Sequence, residues 1–271
     1  MKTFEYYIYL IGNILKVDLI IIIHKQKISK RKIYVLFFIM ISFIGCTSLK
    51  TNSAIVPTNR LQLKWWKQRH EAIINKVNAN PQLILIGDSI LHLLDHSDRD
   101  SVRAKYLDKY NTINMGFSGD RTENVIWRLQ NGELANINPK VALLLIGTNN
   151  TDGNNFPTIN YPDELEEAIW KICKIIEEKL PNTEILLLGI FPFGRNIPNF
   201  RNTLILKTNK LISGFPSRDK HIHYMDIGNI FLDKDGKIIK EIMPDYLHPN
   251  AKGHMLMFDK LDGEITKLMK K

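Results

Sequence analysis

Four short stretches of this chain carry residue types that can do chemistry together. Gly87-Asp88-Ser89-Ile90 supplies a hydroxyl directly after an apolar run. Gly116-Phe117-Ser118-Gly119-Asp120 and Gly147-Thr148-Asn149-Asn150 supply main-chain N–H groups on small residues and a side-chain amide. Asp245-Tyr246-Leu247-His248-Pro249 supplies a carboxylate and an imidazole three residues apart. Taken singly, each is ordinary. Gly-Asp-Ser is common in turns, and Ser89 can simply cap a helix. Together they are the parts needed for acyl transfer: nucleophile, base, orienting acid and oxyanion donors. A serine hydroxyl attacks poorly until a base takes its proton, and a carboxylate fixes the histidine tautomer. The Asp245/His248 spacing lets one helical turn bring both to the same side.

These parts act together only if the fold gathers them. Apolar runs at Leu83–Gly87, Thr112–Gly116, Val141–Gly147, Glu184–Ile190 and His223–Ile227 read as five strands. Continuous apolar runs spaced by helical patterns indicate a parallel sheet covered on both faces. Leu165, Ala168, Ile169, Ile172, Cys173, Ile176 and Leu180 recur at helical spacing, Pro181 stops that helix, and Ala251–Leu268 reads as a closing helix. The expected architecture is a single α/β domain, doubly wound and flavodoxin-like, with a mostly parallel five-stranded sheet. Sites in such sheets lie at the carboxyl ends of the strands, where three of the four stretches fall.

The joint pattern resembles the SGNH/GDSL hydrolase superfamily, whose four blocks would begin here at Ser89, Gly116, Asn149 and His248. The stretch Gly116–Val141, the strand after it and Gly147-Thr148-Asn149-Asn150 resemble the catalytic subunits of platelet-activating-factor acetylhydrolase and their bacterial relatives. Trp65, Trp66, Arg69 and His70 fit a segment those relatives also tend to show. The resemblance covers about residues 65–271. It implies Ser89 as nucleophile, His248 as general base and Asp245 as the residue that orients the imidazole. It also implies an oxyanion hole of the Ser89 N–H, the Gly116 N–H and the Asn149 side-chain amide, with no cofactor and no metal. Many superfamily members have Asp where Asn150 stands; the acetylhydrolase-like branch also reads Asn, so the departure marks the branch. Similar subunits associate as dimers, so the resemblance also implies a homodimer.

Other residues invite competing readings. Ser118 lies in G-F-S-G-D, where the second glycine comes one place too early for a nucleophile elbow, and reads as a loop residue beside the oxyanion hole. His92 and His96 are four apart on the expected helix after Ser89 but lack a third ligand for a metal. His70, His221, His223 and His254 read as surface or packing residues. Trp65, Trp66 and Trp127 read as packing aromatics, Asp88 as a hydrogen-bonding neighbour of the nucleophile, and Cys173 as a buried core thiol. The insertions Thr151–Pro162 and Phe191–Arg201, with Phe156, Tyr161, Phe191, Phe193 and Phe200, are expected to shape the pocket.

The 271 residues allow one large domain with a sizeable core. With 44% apolar and 24% charged residues, disorder, collagen and coiled coil are excluded. The net charge of +9 sits mostly in residues 1–50, which hold eight Lys/Arg against two acids, so the body lacks the footprint of a nucleic-acid binder. Two cysteines exclude a disulfide scaffold. The basic cluster Lys25–Lys32, the apolar run Ile33–Ile44 and then Gly45-Cys46 follow the order of a secretory signal. Phe43-Ile44-Gly45-Cys46 resembles a bacterial lipoprotein box, which implies cleavage before Cys46 and lipid attachment to it, with Phe43 departing from the usual Leu. The rival is an uncleaved anchor. The apolar stretch Tyr6–Ile23, broken by Asn13, Lys16 and Asp18, leaves open a first membrane helix or a start further along the chain. The expected organisation is a leader over 1–46, a tether over 47–60 and a hydrolase domain over 61–271.

The function expected is a serine esterase of small acyl esters, above all acetyl, on carbohydrates, lipid-anchored at a bacterial cell envelope. The alternatives are a phospholipid acetylhydrolase or lysophospholipase-like lipase, an acyltransferase, and a catalytically silent binding lipoprotein.

Overall fold

The computed structural model describes residues 51–76 and 80–271, and the leader with Cys46 lies outside them. Within the compact unit Asn52–Lys271, five strands form one sheet: β1 Leu83–Gly87, β2 Ile113–Gly116, β3 Val141–Leu145, β4 Glu184–Leu188 and β5 Ile222–Met225. Their order is β2-β1-β3-β4-β5 and every pairing is parallel, with Gly87 in register with both Gly116 and Leu145. This is the flavodoxin-like doubly wound arrangement expected, with the sheet wholly parallel.

Side chains alternate across a strand, so each strand feeds both faces. Ile84, Ile86, Ala142 and Leu144 pack on one side with α1 (Lys64–Asn75), α3 (Thr122–Arg128), α4 (Pro162–Lys179) and α5 (Phe200–Ile212). Leu83, Leu85, Leu143 and Leu145 pack on the other with α6 (Ala251–Leu268) and the single turn α2 (Ser89–His92). Helix α4 starts where Glu164 accepts the Tyr161 main-chain N–H at 2.8 Å, with Pro162 in its first turn and two acids beside it. Its apolar stripe buries Cys173, whose thiol is free and pushed up to about 12 by burial, so it is the inert core residue expected.

The expected tether is corrected in part. Residues 52–60 are docked on the domain and belong to it. Ala54 is fully buried, the Asn52 side chain donates to Glu164 O at 2.9 Å, and Thr122 Oγ1 donates to Ala54 O at 2.9 Å. Thr58 N donates to Glu123 O at 3.1 Å, and Arg60 reaches Ser118 O at 2.9 Å. The domain therefore begins at about Asn52, because a strap of polar residues finds main-chain partners on α3, α4 and the loop after β2.

Candidate active site

All four stretches meet at the carboxyl end of the sheet. Sharp turns after β1, β2 and β3 aim each one at the same open cleft of about 730 Å³, lined among others by Ser89, Gly119, Asn149, Asp245 and His248. Asp88 caps α2 by accepting the Ile90 N–H at 3.0 Å, which sets Ser89 as its first residue. Ser89 Oγ donates to His248 Nε2 at 2.8 Å, and His248 Nδ1 donates to Asp245 Oδ2 at 2.6 Å. An ionised carboxylate only accepts, so the imidazole carries its proton on Nδ1 and offers Nε2 as the base. The other Asp245 oxygen accepts the main-chain N–H groups of His248 at 2.7 Å and Leu247 at 3.1 Å. Partial burial raises the Asp245 carboxyl, but the His248 bonds outweigh it, so its pKa lies below the ordinary value.

The expected helical turn across Asp245–His248 is absent. These residues form a turn with Tyr246 in the left-handed region at φ 61°, and Asp245 itself makes the bonds that close it. The helix expected after Ser89 ends at His92, so His92 and His96 do not share a helical face. Among the described residues, no group of three His, Cys, Asp or Glu could hold a metal ion.

Gly116 departs from its expected role. Its N–H donates to Asn114 Oδ1 at 2.9 Å, and it lies outside the residues lining the cleft. A β-carbon there would sit 2.4 Å from His92 N, so this glycine lets β2 pass close under α2. Gly119 lines the cleft instead, at φ +75°, and neither its N–H nor that of Ser89 has a partner among the described residues. The Ser118-Gly119 pair carries the turn signal for this bend, without stating which N–H faces the cleft. Asn149 Nδ2 donates to Asp120 O at 2.8 Å and keeps a second N–H.

The loop 116–120 is held from all sides. Phe117 N donates to Gly87 O at 3.0 Å, and Arg69 Nε to Gly116 O at 2.8 Å. The Phe117 ring lies under the guanidinium of Arg128, 4.0 Å away. His92 Nδ1 accepts both the Ser118 N–H at 3.1 Å and the Ser118 hydroxyl at 2.9 Å. Burial, with the Arg69 charge added, pushes His92 down to about 4, so it stays an acceptor at neutral pH. Ser118 is thus the loop residue expected. Asp120 is fully buried and accepts from Trp66 Nε1 at 2.8 Å, Arg128 Nε at 2.8 Å and Arg60 at 3.2 Å. Arg128 also pairs with Glu133, which accepts from His70 Nδ1 at 2.9 Å. Trp66, Arg69 and His70 therefore do more than pack: they fasten this loop and its buried charges. Spacing alone did not announce the roles of Arg60, Arg69 and Arg128.

Asp88 is buried with no cation bonded to it among the described residues, and burial, with some help from Asp120, pushes its carboxyl up to about 7. Asn150 is fully buried, and the two N–H groups of its amide are shared among three acceptors, Thr122 Oγ1 at 3.0 Å, Glu123 Oε2 at 3.1 Å and Asn160 Oδ1 at 3.0 Å. Those acceptors need a donor, which gives the Asn at this position a physical reason. Of the two insertions, only the first reaches the cleft, through Asp152, Asn155 and Phe156. Phe191 is buried against Phe231, while Phe193 and Phe200 line a neighbouring hollow and Tyr161 is exposed just before α4.

Residues 85–256 match the model of the GDSL-like Lipase/Acylhydrolase family. The chain is 29% identical over 206 residues to the platelet-activating factor acetylhydrolase IB subunit alpha2 of Rattus norvegicus, covering 76% of this chain and 85% of the relative. It is 27% identical over 191 residues to the alpha1 subunit of Bos taurus, covering 70% and 78%. Among solved structures, an acetylxylan esterase of Geobacillus stearothermophilus superposes with a TM-score of 0.54 at 15% identity, covering 70% of this chain and 96% of that one. A GDSL-like lipase of Bacteroides thetaiotaomicron gives 0.56 at 16%, covering 75% and 97%.

Proposed function

Since the chain belongs to the GDSL-like lipase/acylhydrolase family and is a carboxylic ester hydrolase, we propose that it is a Ser-His-Asp esterase that removes small acyl groups, above all acetyl, from carbohydrates. The observation that carries this reading is the hydrogen-bond chain Ser89–His248–Asp245, at 2.8 and 2.6 Å, opening into the cleft. His248 Nε2 takes the Ser89 proton as Oγ bonds to the ester carbonyl carbon. The oxyanion that forms is held by the N–H groups of Ser89 and Gly119 and by the Asn149 amide. His248 then gives its proton to the departing alcohol, and water, activated the same way, releases the acid and restores Ser89. Asp245 holds the ring in its tautomer throughout.

The carbohydrate carrier is favoured by what fold neighbours, acetylxylan esterases among them, are named for; of the polar side chains on the cleft's wall, Asp152 and Asn250 are already bonded within the protein. A second reading, an acetylated phospholipid, is favoured by what the mammalian relatives are named for. The test measures release of acetate, butyrate and octanoate from p-nitrophenyl esters by the full chain and its Ser89→Ala variant. Acetylated xylan, acetylated sialic acid and an acetyl phospholipid follow. Acetyl-preferring turnover that vanishes in Ser89→Ala and extends to the glycans supports the proposal. Turnover of the phospholipid alone supports the second reading, and turnover that survives Ser89→Ala removes the triad.

The proposal extends to the leader: Cys46 carries a lipid and tethers the enzyme to a bacterial envelope. Incorporation of an alkyne fatty acid that is abolished by Cys46→Ser supports this, and unlabelled protein refutes it. A homodimer is proposed on the likeness to the acetylhydrolase subunits; a monomeric mass by light scattering would overturn it.

A further inference from the structure

Across the 151–156 loop from the cleft lies a second hollow of about 430 Å³. The two share a wall: Asp152 and Asn155 face the cleft, while Thr151, Gly153 and Asn154 face the hollow. Its other side is the insertion after β4. There Phe200 is 58% exposed, and Phe193 is half-buried with the Arg201 guanidinium stacked 3.6 Å above its ring. Arg201 belongs to the wall itself, reaching Thr148 O at 3.0 Å and Asp152 at 3.4 Å. By contrast, the side chains of Asn154, Arg195 and Asn196 have no partner among the described residues.

An uncovered aromatic face beside unpartnered amide and guanidinium groups is what a sugar ring requires. Its C–H face lies on the aromatic ring, and its hydroxyls take donors and acceptors around the edge. The hollow under α5, between Ile205 and Asp226, is a poorer candidate, because Asp226 already accepts from Asn209 at 3.2 Å and Gly228 N at 3.0 Å. We propose that the hollow bounded by Asn154, Arg195, Asn196 and Phe200 is a carrier subsite that holds a sugar residue next to the acetylated one in an oligosaccharide. This rests on the carbohydrate reading of the cleft. It makes the enzyme one that grips a glycan chain while Ser89 works on one acetyl group.

Phe200 and Arg195 are exposed, so their removal leaves the core untouched. The full chain, Phe200→Ala and Arg195→Ala would be assayed on p-nitrophenyl acetate, an acetylated methyl xyloside and acetylated xylotriose. The wild type should show a kcat/KM that rises from the single sugar to the trisaccharide. Each variant should lose roughly five- to tenfold on the trisaccharide through KM, the loss expected for one stacked or hydrogen-bonded ring. Neither variant should change on p-nitrophenyl acetate. Unacetylated xylotriose should bind Ser89→Ala in calorimetry, and binding should weaken with Phe200→Ala added. If both sugars are deacetylated equally well and the variants match wild type, the subsite is refuted while the carbohydrate esterase stands. If neither sugar is deacetylated and the acetyl phospholipid is, the carbohydrate reading fails and takes the subsite with it.

Discussion

Arg99 and His254 meet inside the protein, Arg99 Nε donating to His254 Nδ1 across 3.5 Å, and between them they join the two halves of the candidate site. His254 Nε2 donates to Ile90 O at 2.8 Å, one residue after the proposed nucleophile. Arg99 donates to Pro249 O at 3.0 Å, one residue after the proposed base. Two segments about 160 residues apart in the chain are thereby set at the spacing a proton transfer needs.

His254→Ala should therefore lower kcat about 10- to 100-fold with KM little changed, and His254→Gln, which keeps a donor for Ile90 O, should recover part of it. Burial holds His254 down to about 4, against 6.5 when unfolded. Between those values the unfolded chain binds a proton that the native site refuses, so stability falls as pH drops through that window. Melting curves from pH 7 to pH 4 should show less acid loss in His254→Gln than in wild type. Identical slopes would place the acid sensitivity elsewhere.

Asp88 titrates with the opposite sense. Its folded pKa, about 7, lies above the ordinary 3.8, so the native state holds a proton the unfolded chain has released. Stability should fall as pH rises from about 4 to 7 and stay reduced above it. Asp88→Asn keeps an oxygen for the Ile90 N–H and removes the buried charge. It should be the more stable protein at pH 8, by about 2–4 kcal/mol, and show little gain at pH 5. Parallel denaturation midpoints at the two pH values would contradict this.

The glycine that ends β2 and the glycine in the loop after it should fail in different ways. Gly116→Ala places its β-carbon 2.4 Å from His92 N and 2.9 Å from Asp88 O, main-chain atoms that cannot swing aside, so the melting temperature should fall steeply. Gly119→Ala meets only the Arg60 guanidinium at 3.1 Å, but at φ +75° the backbone resists a side chain. It should lose about 1 kcal/mol of stability and a disproportionate share of kcat. Equal effects on both properties at both positions would argue against separate roles.

Asn149→Ala should cost about 10²–10³ in kcat, the usual loss of one oxyanion donor, with KM nearly constant. Asn150→Asp, one residue on, should act on folding instead. It sets a second carboxylate against Glu123, whose charge Arg121 already pairs at 2.6 Å, and against Asn160 Oδ1 in a fully buried position, where an added buried charge is costly. A circular dichroism melt that leaves Asn150→Asp unshifted would remove the reason given for asparagine there.

The five strands, both long helices and the meeting of Ser89, Asn149, Asp245 and His248 were legible in the chain. The signals are apolar runs of strand length, a stripe at helical spacing, and motifs at strand ends. What stayed hidden depends on main-chain direction. Whether the N–H of Gly116 or of Gly119 faces the cleft turns on backbone dihedrals that no residue pattern states. The Asp245–His248 pair looks like one turn of helix because spacing cannot separate a helix from a turn closed by Asp245 itself. Residues 52–60 look like a linker because they are polar, yet polar side chains also reach distant main-chain groups.

That last segment changes what counts as the smallest working enzyme. Arg60 holds Ser118 O and Asp120, in the loop next to the nucleophile, from a position 25 residues ahead of the family match at 85–256. A truncation drawn at the first conserved-looking motif would keep every residue of the triad and still discard a clamp on their neighbour. Shortened forms and N-terminal fusions should join the chain before Asn52, so that Asn52, Ala54 and Thr58 keep their partners on the domain.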